Sequence, residues 1–382
     1  MLKISGPLIA IFSVVISLGL GEIAIRCLAP QQLIYADQNI WKPDPKLGWR
    51  HVKNIDTLLN TGERTVRFAT DEHGYRISPE QPPPTEPQLR ILGIGDSFLE
   101  ATQVENQETM LELLNSALSK QLGKSIKTVN AGVGGYDPNQ YFLQTQEALK
   151  VGRFDLGIVF LYVDNDVVPA RRNFINANDL GARHVFRLPK EFSWQELIDA
   201  LFYPLNDLLE TRSHLFVFLK TSLATTLGRL GLTAAYFPFG YRKDQAEDRA
   251  WQVTADICKE IGELFSARAV PAIFVLIPAP FQVHQAEFDN YATMFGLEPK
   301  ELCLEQPNRI LEHELKTRGL YVIDTLAALR QADQTGELLY GRISKHFSAA
   351  GHRVVAAELL PHATKTLKER DDTSPTHKQS LK

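Results

Sequence analysis

A serine, a glycine-rich turn, an asparagine and a histidine stand far apart in this sequence, yet their types suit nucleophilic chemistry. Ser97 follows Gly95 and Asp96 at the end of a short apolar run. A serine hydroxyl becomes a useful nucleophile when a nearby histidine takes its proton. His346 lies in a predicted loop and could reach another loop, whereas His352 lies within a predicted helix. We therefore expect Ser97 as the nucleophile and His346 as the base.

Each of these residues also has a plainer interpretation. Asp96 or Ser97 could simply cap a helix, since both side chains accept hydrogen bonds from the free N–H groups of a first turn. Gly135 ends a glycine-rich run and Asn165 lies between two aspartates, and both residue types are common in tight turns. In the chemical interpretation, the Gly135 N–H and the Asn165 amide donate hydrogen bonds to an oxyanion.

The elements around these residues predict an α/β fold. Apolar runs alternate with segments of helical spacing, which indicates βαβ units, a parallel sheet of five strands and helices on both faces. The predicted strands are residues 91–95, 126–129, 156–163, 272–277 and 320–323, and the main predicted helices are residues 108–121, 140–150, 251–267 and 349–365. Ligands of such sheets bind beyond the carboxyl ends of the strands, which is where Ser97, Gly135 and Asn165 stand.

Taken together, the four groups resemble the SGNH hydrolases, or GDSL-like esterases, over roughly residues 90–365. Residues 95–98, 130–135, 164–166 and 346–351 are similar to the four sequence blocks of that family, in the same order. A lead-in with Asp44, Gly48 and Trp49, followed by Gly74 and Tyr75, also resembles membrane-anchored bacterial members.

The resemblance implies a three-layer α/β/α, flavodoxin-like fold with a parallel five-stranded sheet. It implies that Ser97 attacks an acyl carbonyl while His346 takes its proton. The Ser97 N–H, the Gly135 N–H and the Asn165 side chain would hold the oxyanion. No metal and no organic cofactor is implied.

The sequence departs from the family pattern just before the histidine. SGNH hydrolases usually carry an aspartate two or three residues ahead of it, and Ile343 and Ser344 occupy those positions here. Four explanations stay open. Asp333 or Asp324 could substitute, a Ser–His dyad could act alone, a backbone carbonyl could hold the imidazole, or the site could be weakened or inactive.

The N-terminal segment predicts a location. Residues 4–21 are mostly apolar and carry no charge, which indicates a transmembrane helix or a cleaved signal peptide. We expect an uncleaved membrane anchor, with the rest of the chain in the periplasm or on the cell surface. The expected organisation is an anchor at 1–28, a lead-in and proline-rich linker at 29–88, a hydrolase domain at 89–366 with a helical insertion at about 167–250, and a disordered tail at 367–382.

Composition limits the partners. The net charge of −4 and the lack of a basic patch argue against nucleic acid, and three cysteines without a CxxC pair argue against a metal knuckle.

We expect an esterase that removes acyl groups from a glycan or another envelope ester, with Trp194 and Tyr236 as candidate acyl-pocket or sugar-stacking residues. The alternatives are a polysaccharide O-acyltransferase and a non-catalytic glycan-binding or assembly protein with a degenerate site.

Overall fold

The computed structural model describes residues 6–31, 33, 40–61, 64–80, 86–167, 208–209, 212–229, 239–295, 298–342 and 344–373. The chain forms two compact units. One comprises Met1–Ala36, Leu188–Ala235 and Thr293–Gly296, and the other comprises Asp37–Arg187, Tyr236–Ala292 and Leu297–Lys382. Most of the predicted insertion at 167–250, with Trp194 and Tyr236, lies outside the described residues, as do residues 374–382 of the predicted tail.

The larger unit is built around a mixed β-sheet. Its described strands are β1 (Trp41–Asp44), β2 (Gly48–His51), β3 (Asp56–Asn60), β4 (Thr65–Thr70), β5 (Arg76–Ile77), β6 (Leu89–Ile94), β7 (Ile126–Asn130), β8 (Leu156–Tyr162), β9 (Ala272–Ile277) and β10 (Tyr321–Asp324). The main sheet has the order β10-β9-β8-β6-β7-β5-β4-β3, while β1 and β2 form a separate antiparallel pair. The five strands from β10 to β7 are parallel. Counted along the chain, their order is the 2-1-3-4-5 of flavodoxin-like folds.

The predicted sheet of five strands was wrong in its number of strands, because the main sheet has 8. The extra strands β3, β4 and β5 come from the lead-in and join antiparallel to β7 through the pair Arg76 and Asn130. Of these, only the segment around β4 shows the alternation of a strand. β5 has 2 residues, which is too short for any periodic pattern to reveal it.

Helices cover both faces of the parallel strands, which gives the three predicted layers. The described α-helices are α1 (Gly6–Leu28), α2 (Ser97–Glu100), α3 (Met110–Leu122), α4 (Pro138–Val151), α5 (His214–Arg229), α6 (Ala250–Ser266), α7 (Pro280–Val283), α8 (Gln285–Phe295), α9 (Gln306–Thr317), α10 (Leu326–Asp333) and α11 (Ala349–Thr373). Apolar side chains of α4, α6 and α9 pack on one face of the sheet. Those of α2, α3, α10 and α11 pack on the other face.

The last helix is longer than the sequence pattern predicts. α11 reaches Thr373, so residues 367–373 of the predicted disordered tail are helical. Leu367 is buried in the same apolar cluster as Ala363, and Arg370 forms an ion pair with Asp155. These contacts extend the helix into a stretch whose polar composition alone indicates disorder.

The smaller unit contains α1 and α5. Glu22 of α1 accepts hydrogen bonds from the N–H groups of His214, at 3.0 Å, and Leu215, at 2.9 Å, and so caps the first turn of α5. Glu22 also pairs with Arg26 at 2.6 Å, so the last turns of α1 carry charge. Among the helices of the described residues, none combines the length and apolarity needed to cross a membrane. This finding differs from the transmembrane helix predicted over residues 1–28.

Candidate active site

Ser97 lies in a sharp turn between the strand β6 and the helix α2. A β-carbon at Gly95 would lie 3.1 Å from the β-carbon of Leu99 and 3.2 Å from that of Phe160, closer than most such contacts, so glycine fits the turn without displacing its neighbours. Asp96 is the N-cap of α2, and its Oδ1 accepts a hydrogen bond from the Phe98 N–H at 2.9 Å. The capping interpretation is therefore right for Asp96. It leaves the Ser97 hydroxyl, at the first position of the helix, for chemistry.

His346 contacts Ser97 directly. The His346 Nε2 lies 2.7 Å from the Ser97 Oγ, and the His346 Nδ1 lies 2.8 Å from the carbonyl oxygen of Ser344. A carbonyl can only accept a hydrogen bond, so Nδ1 carries the proton and Nε2 presents its lone pair to the serine hydroxyl. The ring of Phe98, 4.9 Å away between centroids, packs beside the imidazole. The geometry is that of a nucleophile and its general base.

The Ser344 carbonyl takes the place at which the family aspartate would act. Both distant carboxylates considered from the sequence bind other groups. Asp333 lies 3.0 Å from the Nδ1 of His284, and Asp324 accepts from the Asn308 amide at 2.7 Å. Ile343 lies outside the described residues. Of the four explanations, the structure favours a backbone carbonyl that fixes the imidazole tautomer.

Three N–H groups follow the carboxyl ends of the neighbouring strands β6, β7 and β8. Within the described part of the chain, the backbone N–H groups of Ser97 and Gly135 have no hydrogen-bond acceptor. The Asn165 amide donates to Asp96 Oδ2 at 3.3 Å, which ties it to the residue beside the nucleophile and leaves its second N–H free to turn to a ligand. Gly135 has a φ of 77°, a left-handed conformation that side chains disfavour. These groups can stabilise an oxyanion formed at Ser97.

His352 has a structural role. It is 1% exposed, and its Nδ1 accepts a hydrogen bond from the Met110 N–H at 3.2 Å. Burial, followed by the positive charge of Arg76, lowers the pKa of His352 to about 3. A histidine that stays neutral and bonded at the start of α3 holds α11 against that helix, so the choice of His346 over His352 agrees with the geometry.

Sequence reasoning missed the residues of the lead-in that hold α2. The Arg76 guanidinium donates to the carbonyl of Glu100, the last residue of α2, at 2.6 Å and to that of Val104, beyond the helix, at 2.5 Å. The Glu100 carboxylate, which is 2% exposed, lies 2.6 Å from the Nε2 of His51 and accepts from the Trp41 indole at 2.8 Å. In the sequence, only the lead-in motif pointed to these contacts. The spacing of its residues does not reveal which groups they bind.

Replacement of Asn165 by alanine tests the oxyanion donor. Loss of one such donor typically lowers kcat by roughly 100- to 1,000-fold. We expect Asn165→Ala to show a fall of that size against p-nitrophenyl acetate, with little change in KM, because the lost bond forms mainly in the transition state. The matched control is Asn139→Ala, in which an amide on α4 that bonds Asp137 at 3.1 Å is removed. An equal fall in both variants would contradict the assignment.

Asp96 makes stability depend on pH. Burial, the largest effect, and then the charge of Glu100 raise the pKa of this carboxyl from 3.8 to about 6, against hydrogen bonds from Phe98 and Asn165. The folded chain therefore binds this proton more tightly than the unfolded chain does. Its stabilising effect is complete below pH 3.8 and is lost as the pH rises through about 6.

The expected loss is at most about 3 kcal/mol. Asp96→Asn keeps a helix-capping side chain without the titration. We expect the unfolding free energy of the wild type, minus that of Asp96→Asn, to fall by up to this amount between about pH 4 and pH 7. Urea unfolding at several pH values measures it, and parallel pH curves for the two proteins would refute it.

Comparison with known proteins finds similarity among solved structures only. No family model matches the chain, and no curated protein matches it. The chain is similar to a member of the lipolytic protein G-D-S-L family from Veillonella parvula DSM 2008, with 13% identity and a TM-score of 0.38 over 71% of this chain and 96% of that chain. It is also similar to a catalytic variant of Axe2, an acetylxylan esterase from Geobacillus stearothermophilus, with 13% identity and a TM-score of 0.38 over 72% and 93% of the two chains.

The five parallel strands have the flavodoxin-like order, and helices cover both faces. Ser97, Gly135 and Asn165 follow β6, β7 and β8 at one sheet edge, and His346 reaches Ser97 from the loop before α11. The described chain has the flavodoxin-like α/β/α fold that the resemblance to the SGNH hydrolases implies.

Proposed function

We propose that this chain is a serine ester hydrolase that works through an acyl-enzyme on Ser97. The contact of 2.7 Å between the Ser97 Oγ and the His346 Nε2 carries the proposal. The carbonyl of Ser344 supports it further, because it holds the imidazole in the tautomer that can accept the serine proton.

The reaction has two steps. The Ser97 oxygen attacks the ester carbonyl carbon while His346 takes the hydroxyl proton, and the carbonyl oxygen becomes an oxyanion. The C–O bond to the alcohol then breaks, and His346 returns the proton to the leaving alcohol. In the second step water attacks the acyl-serine, His346 takes a proton from it, and the carboxylic acid leaves as Ser97 regains its proton.

The carbonyl of Ser344 is neutral. Compared with an aspartate, it should change the rate of catalysis more than the orientation of the His346 ring. An aspartate would stabilise the imidazolium by charge, whereas a carbonyl supplies only a hydrogen bond to Nδ1. Loss of the correct tautomer accounts for much of the damage when a triad aspartate is removed, and here the tautomer is kept. We therefore propose an active dyad and not a degenerate binding site.

The finer proposal is that the ester belongs to an acylated glycan outside the cytoplasm. Trp49, a partly exposed residue whose ring lies beside Gly135, supports a glycan, because a flat aromatic face can pack against a sugar ring. The apolar residues 4–21 are the basis for the location, which cell fractionation would test. A location in the cytoplasm would refute this part without affecting the ester chemistry.

Pre-steady-state hydrolysis tests the chemistry. With p-nitrophenyl acetate, we expect a burst of p-nitrophenol close to the enzyme concentration, followed by a slower steady phase in which acetate is released.

An O-acetylated xylooligosaccharide then tests whether a glycan is the substrate, with acetate measured as the product. Added unacetylated oligosaccharide separates hydrolysis from transfer. If a sugar hydroxyl is the true acceptor, it will speed p-nitrophenol release while acetate release falls.

A further inference from the structure

We infer that Trp49 of the lead-in is a positioning residue for the oxyanion-binding N–H of Gly135, an inference that rests on the proposed function. Trp49 lies in β2, far from Ser97 in sequence. Its indole Nε1 donates a hydrogen bond to the carbonyl oxygen of Gly134 at 2.9 Å. That carbonyl belongs to the same peptide group as the N–H of Gly135.

The geometry of the peptide group makes this bond consequential. The peptide between Gly134 and Gly135 is trans, as are all those described in this chain. In a trans peptide the C=O and N–H bonds lie in the same plane and point in opposite directions, on either side of the chain. When Trp49 holds the carbonyl on its own side, the N–H of Gly135 must point to the other side.

Without the Trp49 bond, the peptide group between Gly134 and Gly135 could rotate, because neither residue has a side chain to oppose the rotation. Gly135 has a φ of 77°, and glycine adopts positive and negative φ with similar ease. After such a rotation, the Gly134 carbonyl oxygen would point where the N–H had pointed. A partial negative charge would then face the oxyanion and remove one of the donors that stabilise it. The Trp49 bond opposes this rotation.

Trp49 is itself held in place by the neighbouring residue. The Tyr136 hydroxyl donates a hydrogen bond to the backbone carbonyl of Trp49. The two rings pack edge to face with centroids 5.7 Å apart. The Trp49 ring also lies against the glycine, because a β-carbon on Gly135 would be 3.2 Å from Cζ2 of the indole. The lead-in motif thus reaches the oxyanion site through one side chain.

The test is the variant Trp49→Phe in the full chain, assayed with p-nitrophenyl acetate. Phenylalanine keeps an aromatic ring but loses the N–H donor. Removal of an oxyanion donor lowers kcat by roughly 100- to 1,000-fold, and a peptide that still spends part of its time correctly oriented should lose about 10- to 100-fold. We expect that fall in kcat, a KM within about threefold of wild type, and an equally reduced rate of fluorophosphonate labelling.

The matched control is Trp251→Phe, which removes an indole N–H from the Gln245 carbonyl, at 2.9 Å, away from the site. We expect it to keep the wild-type kcat in its folded fraction. Should Trp49→Phe not fold, Tyr136→Phe decides, because it loosens Trp49 without removing the indole and should lower kcat in the same direction. A wild-type kcat in the folded variant would overturn the inference, whereas a wild type without esterase activity would instead overturn the proposed function.

Discussion

His346→Ala is expected to lower kcat for p-nitrophenyl acetate by at least about 10,000-fold, as loss of the base does in serine proteases. The reason is specific to this geometry. His346 Nε2 accepts the proton of Ser97 at 2.7 Å, and the Ser344 carbonyl fixes the orientation of the ring. Without the imidazole, the hydroxyl at neutral pH is too weak a nucleophile to attack an ester quickly.

A matched variant separates catalysis from general damage. His284→Ala removes a histidine that also bonds through its Nδ1, in this case to Asp333 at 3.0 Å. It lies outside the site and should keep kcat within about twofold, as surface substitutions usually have small effects. Stopped-flow and steady-state assays on both variants, beside thermal unfolding curves, provide the measurement. If kcat of a folded His346→Ala protein falls by less than about tenfold, His346 is not the base.

Ser97→Ala should abolish the burst of p-nitrophenol and lower steady hydrolysis to a similar degree. The losses of rate in the two single variants should not be additive in free energy, because the serine and histidine act as one unit. The double variant Ser97→Ala/His346→Ala is therefore expected to be as slow as either single variant. The folded state should survive, since Asp96 and not Ser97 caps α2.

Steady-state rates of the three variants, corrected for the uncatalysed reaction, measure this non-additivity. A matched control is Ser348→Ala, which removes a hydroxyl that bonds the Leu338 carbonyl at 2.5 Å near the start of α11. We expect it to lower stability but leave the burst intact. A double variant whose loss equals the product of the two single losses would contradict a shared mechanism.

The sequence could predict the parallel strands and the site because both depend on local signals. The apolar run of β8 and the short apolar run before Gly95 identify buried strands without any knowledge of the fold. The carboxyl-edge rule then places Ser97, Gly135 and Asn165 together. The predicted loop favours His346 over His352 as the base, and His346 Nε2 lies 2.7 Å from Ser97 Oγ.

The sequence could not predict what replaces the family aspartate. A backbone carbonyl exists at every residue, so the role of Ser344 depends on how the chain turns just before His346. That turn includes Lys345 at a φ of 59°, an unusual conformation for a residue with a side chain. The side chains that the sequence suggests as substitute acids, Asp333 and Asp324, bind other groups.

The role of the lead-in was also beyond the sequence, for a related reason. The bond of Trp49 ends on a backbone carbonyl, and so do the bonds of Arg76 to the last residue of α2 and to residues after it. Such targets leave no trace in residue type. The resemblance of the motif to anchored bacterial members indicated its presence but not that it supports the site.

Fluorophosphonate labelling of the full chain, read by intact mass, tests the central claim most directly. The Ser97 oxygen would bond to phosphorus as fluoride leaves, and only a serine activated by its base reacts in this way. The account predicts one adduct per chain in the wild type and none in Ser97→Ala. An unlabelled but folded wild type, or equal labelling of Ser97→Ala, would contradict it.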